Sequence, residues 1–365
     1  MRVRIAALAA IAAVTLPPAH GSGARPPSFA QALTPQPLQF PRDRGPHPDY
    51  RQEWWYLTGN LDSADGDRFG FELTIFRFAV APGIPIPTRG SPWRTRQIYL
   101  GHFAVTDVAR RRFRFTAKLA RGALGLAGAR ADPFRVWVGN WQFDRDAVQA
   151  AGSGYALSLT AQPLTAPVLN GDRGLSRKSG EPGNATYYYS VPRVAVQGTI
   201  VRDGRPLRVR GLAWLDREWG SGSLGPREIG WDWFGLQLGD GSSLMFYSLR
   251  DRGGAEDPYS AGTWIDSEGH SRPLARGDVR IQVLGYWTDA QGARYPSQWR
   301  LQVPSGGLDI TVRPVLPDQE LVTSPRYWEG AVDVSGTRDG RPLAGRGYVE
   351  LTGYAGTTSG SAGIR

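Results

Sequence analysis

The 365-residue chain contains no cysteine. That excludes disulfides, thiolate nucleophiles and cysteine-ligated metals, and it removes the residue a bacterial lipoprotein would acylate. Lysine is almost absent: Lys118 and Lys178 are the two among 43 Lys and Arg residues, in a chain with a formal charge of +10. Histidine is scarce, and beyond the N-terminal leader His47, His102 and His270 are too scattered to suggest ligand spacing, so no metal is expected. No Gly-x-Ser-x-Gly elbow occurs; Gly220-Ser221-Gly222-Ser223-Leu224-Gly225 lacks the spacing, which leaves a serine-esterase mechanism unsupported. No glycine-rich phosphate loop stands between a strand and a helix, so neither nucleotide chemistry nor any cofactor is expected. No apolar run reaches the roughly 20 residues that a bilayer-spanning helix needs.

What the chain does have is 47 glycines, 28 prolines, 13 Trp, 14 Tyr and 13 Phe. Glycine and proline break helices and aromatics suit pleated surfaces, which points to an all-β protein. Arg2 and Arg4 precede the apolar run from Ile5 to Leu16, and Ala19-His20-Gly21 is a small-x-small cleavage sequence. Residues 1–21 therefore read as a cleavable secretory signal, and the expected location is secreted or periplasmic. Length suggests two domains.

Internal repetition supports that number. Arg-Asp-Gly-Arg-Pro-Leu occurs at 202–207 and again at 338–343, each copy followed by an Arg-Gly pair. Trp54-Trp55-Tyr56-Leu57-Thr58-Gly59 before Asp65-Gly66 likewise matches Trp231-Asp232-Trp233-Phe234-Gly235 before Asp240-Gly241. The expected organisation is an extended arm over 22–45, a first module over 46–210, a second over 211–356 and a flexible tail over 357–365. Within each module apolar residues alternate with period two. Phe69, Phe71, Leu73 and Ile75 share one parity and Phe76, Phe78 and Val80 the other, as in a bulged strand. Many strands joined by Asp-Gly turns suit closed up-and-down barrels, with a two-sheet sandwich as the rival arrangement. A tryptophan beside a glycine in the opening strand, Trp55 with Gly59 and Trp233 with Gly235, is similar to the lipocalin pattern in which the ring plugs one barrel end.

The densest chemistry-bearing cluster is Trp214-Leu215-Asp216-Arg217-Glu218-Trp219. On a strand, Asp216 and Glu218 share a face about 6.6 Å apart, while Leu215, Arg217 and Trp219 face the other way. Two carboxyls in a partly dry site push their pKa values apart, which supplies a general acid and a general base together. The repeat places Thr352, Gly353 and Tyr354 where Asp216, Arg217 and Glu218 stand, so the second copy lacks these charges. The structural alternative is a salt-bridged strand end. Glu53 beside Trp54-Trp55-Tyr56, Asp232 between Trp231 and Trp233, and Glu329 after Tyr327-Trp328 are further ligand-facing candidates, as are Tyr187 and Tyr189 of the Tyr187-Tyr188-Tyr189 run. Each has an alternative reading as barrel core or a rim ion pair. Arg110-Arg111-Arg112 and Arg114 flank a hairpin with no nucleic-acid-binding motif around them, so no nucleic acid is expected. In a secreted protein they would meet anionic lipid head groups, or simply form a solvated turn.

Several stretches together resemble the AttH/CrtC family over nearly the whole mature chain. They are Glu53-Trp54-Trp55-Tyr56-Leu57-Thr58-Gly59, Gly183 to Ser190 with Pro192-Arg193, Asp216-Arg217-Glu218-Trp219, Gly230 to Phe234, Tyr327-Trp328-Glu329-Gly330 and Gly347 to Tyr354. The resemblance implies secreted, hydrolase-like proteins with two lipocalin-like domains, often encoded beside ABC-transporter permeases, a group that includes carotenoid 1,2-hydratases. Two expectations follow. One is an enzyme that adds water to a double bond or hydrolyses an ester of a hydrophobic substrate held between or within the barrels, with Asp216, Glu218 and Arg217 as catalytic residues. Trp214 or Trp219 would stabilise a cation, and Glu53, Trp55, Tyr56, Tyr187, Tyr189, Trp231, Asp232, Trp233, Tyr327 and Glu329 would face the ligand. The other is a non-catalytic periplasmic carrier that passes a lipid or similar hydrophobic ligand to or from a transporter permease.

Overall fold

The computed structural model describes residues 28–83, 91–222, 224–225 and 227–355. The signal expected over 1–21 and the tail over 357–365 lie outside these. The first sheet has thirteen strands: β1 Gln52–Ser63, β2 Arg68–Ala79, β3 Gln97–Asp107, β4 Arg112–Arg121, β5 Ala127–Ala131, β6 Phe134–Val138, β7 Trp141–Asp144, β8 Ala147–Gly152, β9 Tyr155–Pro163, β10 Val168–Leu169, β11 Leu175–Arg177, β12 Ala185–Arg202 and β13 Arg205–Gly220. Its hydrogen-bonded order is β4-β3-β2-β1-β13-β12-β9-β8-β7-β6-β5, with β10 and β11 also on β12. The second has ten: β14 Glu228–Leu238, β15 Ser243–Asp251, β16 Ala261–Ile265, β17 Ser271–Ala275, β18 Arg280–Thr288, β19 Arg294–Val303, β20 Leu308–Pro314, β21 Glu320–Leu321, β22 Tyr327–Arg338 and β23 Arg341–Thr352. Its order is β17-β16-β15-β14-β23-β22-β20-β19-β18, with β21 on β22.

Both sheets curl into tandem lipocalin-like β-barrels. The first closes through side chains rather than a continuous ladder. Thr116 of β4 meets Ser153 in the β8–β9 turn at 2.7 Å, and the Lys118 ammonium sits 4.3 Å from the Trp141 ring centre. In the second, the end strands β17 and β18 follow one another in the chain, joined by the single 3-10 turn Arg276–Asp278. The duplicated hexapeptide is the turn of equivalent hairpins, β12–β13 and β22–β23. Asp203 and Asp339 (φ 49° and 51°) and Gly204 and Gly340 (φ 81° and 75°) all take left-handed backbone, which a two-residue hairpin turn requires.

The sheet boundary falls later than the repeat suggests. β13 pairs with β1 and β12 as far as Gly220, and the second sheet begins at Glu228, so the division at 210/211 cuts through a strand of the first barrel. The arm is not free: Ala32 is buried in the first core, Phe40 packs edge-on to Tyr189 at 5.0 Å, and Tyr187 donates to the Thr34 carbonyl at 2.8 Å. It stops one end of the first barrel.

No bulge interrupts β2, whose register against β1 and β3 is continuous. Phe76 and Phe78 break the parity of Phe69 to Ile75 because β2 is covered on both faces. A strand buried on both sides carries apolar residues at both parities. One face of β2, β1, β13 and β12 fills the first barrel, with Phe71, Leu57, Trp219 and Tyr189. The other face meets the second barrel through a separate cluster that joins Tyr56, Tyr188 and Trp214 to Trp233, Tyr247, Ala331 and Tyr348. Both barrel interiors are packed cores. Polar contacts pin the seam: Asn60 to the Gly347 carbonyl at 3.1 Å, Arg68 to Asp333 at 2.6 Å, and Gln237 to the Pro192 and Ala213 carbonyls at 2.7 and 2.9 Å.

Candidate active site

The seam contains a cavity of about 290 Å³ between the outer walls of the two barrels. Strand register aligns its first wall in rows. Thr74 pairs with His102 and Tyr56, Tyr56 with Asp216, and Asp216 with Ser190; one step along, Phe76 pairs with Trp54, Trp54 with Glu218, and Glu218 with Tyr188. The opposite wall is Trp231, Trp233, Tyr247, Leu249, Tyr327, Glu329 and Glu350. Aromatic rings supply most of the surface and carboxyls most of the polarity. Such a mixture fits a hydrophobic small molecule oriented by a few polar groups.

Asp216 and Glu218 share the cavity face, as alternation requires. Asp216 accepts from Ser190 at 2.5 Å, Trp214 Nε1 at 2.7 Å and Tyr188 at 2.7 Å, and Trp233 Nε1 in turn donates to Tyr188 at 3.0 Å. Burial pushes Asp216 up to about 7, against the pull of those three donors and with a further push from Glu218. Glu218 accepts from Thr186 and forms an ion pair with Lys178 at 3.1 Å. Burial alone would lower the Lys178 pKa, but Glu218, with Tyr247 and Asp216, outweighs it and holds the ammonium above its ordinary value. Lys178 also donates to Ser176 and lies 4.4 Å from the Tyr247 ring centre. Among the described lining residues it is the one cation.

A second polar group occupies the β2 end. Thr74 and Tyr327 both donate to Glu72 Oε1, at 2.8 and 3.0 Å, and Tyr327 also meets His102 Nδ1 at 2.7 Å. Tyr56 donates to Glu329 Oε1 at 2.8 Å. Burial raises Glu72 to about 7, Glu350 to about 8 and Glu329 well above the carboxylic range, and lowers His102 to about 4. Near neutral pH this end therefore retains carboxyl protons beside an uncharged imidazole.

The residues singled out from sequence divide by strand face. Asp216, Glu218, Tyr56, Trp231, Trp233, Tyr327 and Glu329 line the cavity, and Trp214 is buried in the seam and bonded to Asp216. Arg217, Trp219, Glu53, Trp55, Tyr187 and Tyr189 do not reach it, because they alternate onto the inner face of the first barrel. There Glu53 is paired with both Arg77 and Arg217, the Arg217 guanidinium lies 3.9 Å over Trp55, and His47 stacks on Trp219 at 3.9 Å. Trp55 does pack in the barrel as the lipocalin pattern implies, but Trp233 faces the seam instead. Asp232 is turned away too, bonded to Arg250 at 2.9 Å and Tyr354 at 2.9 Å. Arg110 and Arg112 flank the β3–β4 turn and lie by Asp203, and Arg110 also reaches Asp107. Among the described residues no group of His, Asp and Glu could hold a metal ion.

Sequence reading missed Glu72, Lys178, Tyr247, His102 and Glu350, and offered Tyr188 only as part of the Tyr187-Tyr188-Tyr189 run. Two carried a signal: Glu72 is a charge inside an apolar strand, and Lys178 is one of two lysines in an arginine-rich chain.

The fold and site define a double-barrel β protein with a buried, carboxyl-bearing aromatic cavity at its seam. The chain belongs to the AttH-like family, whose model matches residues 31–354. An AttH protein from Nitrosomonas europaea of known crystal structure is 35% identical, covers 89% of this chain and 100% of its own, and superposes with a TM-score of 0.78. Kievitone hydratase from Nectria haematococca shares the fold at 17% identity, over 90% of this chain and 97% of its own, with a TM-score of 0.66. Dehydratase asqC from Emericella nidulans is 23% identical over 240 residues, which is 59% of this chain and 63% of that protein, so the match spans less than two thirds of it.

Proposed function

We propose that this chain is a hydratase- or dehydratase-type lyase that adds water to, or removes it from, a hydrophobic small molecule held in the seam cavity. The observation that carries the reading is a buried carboxyl, Asp216, poised near neutrality two residues from a lysine-paired Glu218 on an aromatic wall. The two relatives named for water addition and removal support the same reaction class. In the hydration direction Asp216, as a neutral acid, protonates an alkene carbon, and the faces of Trp54, Trp231 and Trp233 stabilise the cation that forms. Glu218, oriented by Lys178 and Thr186, accepts a proton from the water that attacks it. Arg217 and Trp219 lie on the inner barrel face and hold the strand.

The test is turnover of a panel of polyenes, prenylated phenols and hydrophobic alcohols, followed by mass spectrometry for gain or loss of one water. Asp216→Asn and Glu218→Gln should each lower turnover by about 10²–10⁴-fold while folding normally. Full turnover in both variants would refute the assignment. A tightly retained ligand that emerges unchanged would instead indicate a carrier.

A further inference from the structure

Three carboxyls in the same cavity, Glu72, Glu329 and Glu350, are left unused by that mechanism, and the surroundings of the first two match. Glu72 comes from β2 of the first barrel and Glu329 from β22 of the second. Each is clasped by a tyrosine of the opposite barrel: Tyr327 donates to Glu72 Oε1 at 3.0 Å, and Tyr56 donates to Glu329 Oε1 at 2.8 Å. Each has its second oxygen, Oε2, fully buried and, among the described residues, without a hydrogen-bond partner. Both side chains line the cavity.

Two unsatisfied carboxylate oxygens at such a depth strongly disfavour ionisation of both groups at once. Among the described lining residues the one cation, Lys178, is committed to Glu218. Glu350 makes ionisation harder still: it stands directly across the ladder from Glu329, and like charges so placed repel. Among charged neighbours Glu72 acts most strongly on Glu329, followed by Glu350 and then Asp216. One oxygen of each carboxyl already accepts from its tyrosine, so a retained proton belongs on Oε2. With Tyr327 donating to Glu72, the His102 ring places its own hydrogen on Nδ1 and supports the phenol, which leaves a buried Nε2 with no partner among the described residues.

We propose that Glu72 and Glu329 form a second acid–base centre, a carboxyl pair that shares one proton between the barrels and performs water elimination on a hydrophobic alcohol or, in reverse, water addition to the corresponding alkene. The proposal rests on the lyase reading above and goes beyond it: the pair acts at a hydroxyl-bearing carbon at its own end of the cavity, a position separate from the alkene carbon that Asp216 protonates. In the elimination direction the neutral member passes its Oε2 proton to the substrate hydroxyl, and the C–O bond breaks with its electron pair leaving as water. The ionised member takes the proton from the adjacent carbon, and that C–H pair becomes the new π bond. The pair ends with one proton, now on the other partner, so no external acid or base is consumed.

The experiment uses the full chain with Glu72→Gln, Glu329→Gln and the double variant. Infrared difference spectra at neutral pH should show a protonated-carboxyl stretch in the wild type that each single variant alters. With whichever panel alcohol the wild type dehydrates, each single variant should lose about 100-fold in turnover. The double variant should lose no more than the worse single one, since the two act as a unit. Losses that multiply, wild-type turnover in either variant, or an unchanged carboxyl stretch would overturn the pair. If the wild type changes no panel member, the lyase reading fails and binding decides. Wild type should then prefer α-tetralone to tetralin by about tenfold, by tryptophan fluorescence, through one hydrogen bond from the shared proton. Both Gln variants should lose that preference; a wild type indifferent to the ketone oxygen would overturn the proposal.

Discussion

Replacing Glu53 by Gln separates scaffold from site. Glu53 is fully buried inside the first barrel, paired with Arg77 and Arg217, and both its oxygens accept the His47 backbone N–H at 3.1 Å. The amide keeps the size of the side chain and cancels its charge. Two guanidiniums, each nearly inaccessible to solvent, are then left without a counter-ion. Removing one partner of a buried ion pair costs about 3–5 kcal/mol. At roughly 2–4 °C per kcal/mol for a unit of this size, Tm should fall by roughly 6–20 °C. Differential scanning calorimetry of the full chain checks the figure. Because Glu53 faces away from the cavity, turnover measured well below the lowered Tm should stay near the wild-type value. A Tm shift under about 2 °C, or a large loss of turnover in folded protein, would refute the division of labour between the two strand faces.

Two further outcomes follow from the same geometry. Stability should peak on the acid side of neutrality. Burial raises Asp216 and Glu72 to about 7 and Glu350 to about 8, so their contributions are complete below the ordinary carboxylic range and are lost as pH rises through 7–8. His102, lowered to about 4 by burial, opposes this: its contribution is complete above about 6.5 and is lost as pH falls toward 4. Three groups outweigh one, so the unfolding free energy from urea titrations should fall from pH 5.5 to 8, by on the order of a few kcal/mol in total; a steady rise would contradict the protonation states assigned to the cavity. At the seam itself, an added Cβ on Gly70 would lie 2.6 Å from the Ala331 Cβ and 2.8 Å from the Tyr348 hydroxyl. Gly70→Ala should therefore cost about 1–3 kcal/mol and spread the walls, lowering turnover more than Tm alone explains; unchanged melting would show that the seam yields.

The fold was legible because turn chemistry and alternation are local. The repeated hexapeptide marks equivalent hairpins, and the odd positions from Phe69 to Ile75 do form the inner face of β2. The site was legible only where charge interrupted that pattern in a conspicuous place, as at Asp216 and Glu218. Alternation says which residues share a face, yet it does not say which face a second module will cover. Arg217 and Trp219 were therefore grouped with Asp216 and Glu218 through adjacency, although the backbone turns them to opposite sides. Glu72 and Glu350 were hidden for a related reason. Glu72 carried a signal as a charge within an apolar strand, but its partner Glu329 is far away in the chain, and Glu350 becomes notable only when the barrels meet. The apparent bulge after Ile75 was the visible trace of that meeting, since Phe76 and Phe78 are apolar to suit a neighbour that sequence pattern alone does not reveal.

Burial on both sides of β13 has a practical consequence for anyone altering this protein. Along Trp214 to Trp219, consecutive side chains answer to different demands: even numbers face the seam, where Asp216 and Glu218 line the cavity, and odd numbers pack into the first barrel. A designer can retune reactivity at one position while leaving its immediate neighbours untouched, or harden the shell without disturbing the chemistry, as though two independent proteins had been written on alternate letters of one line.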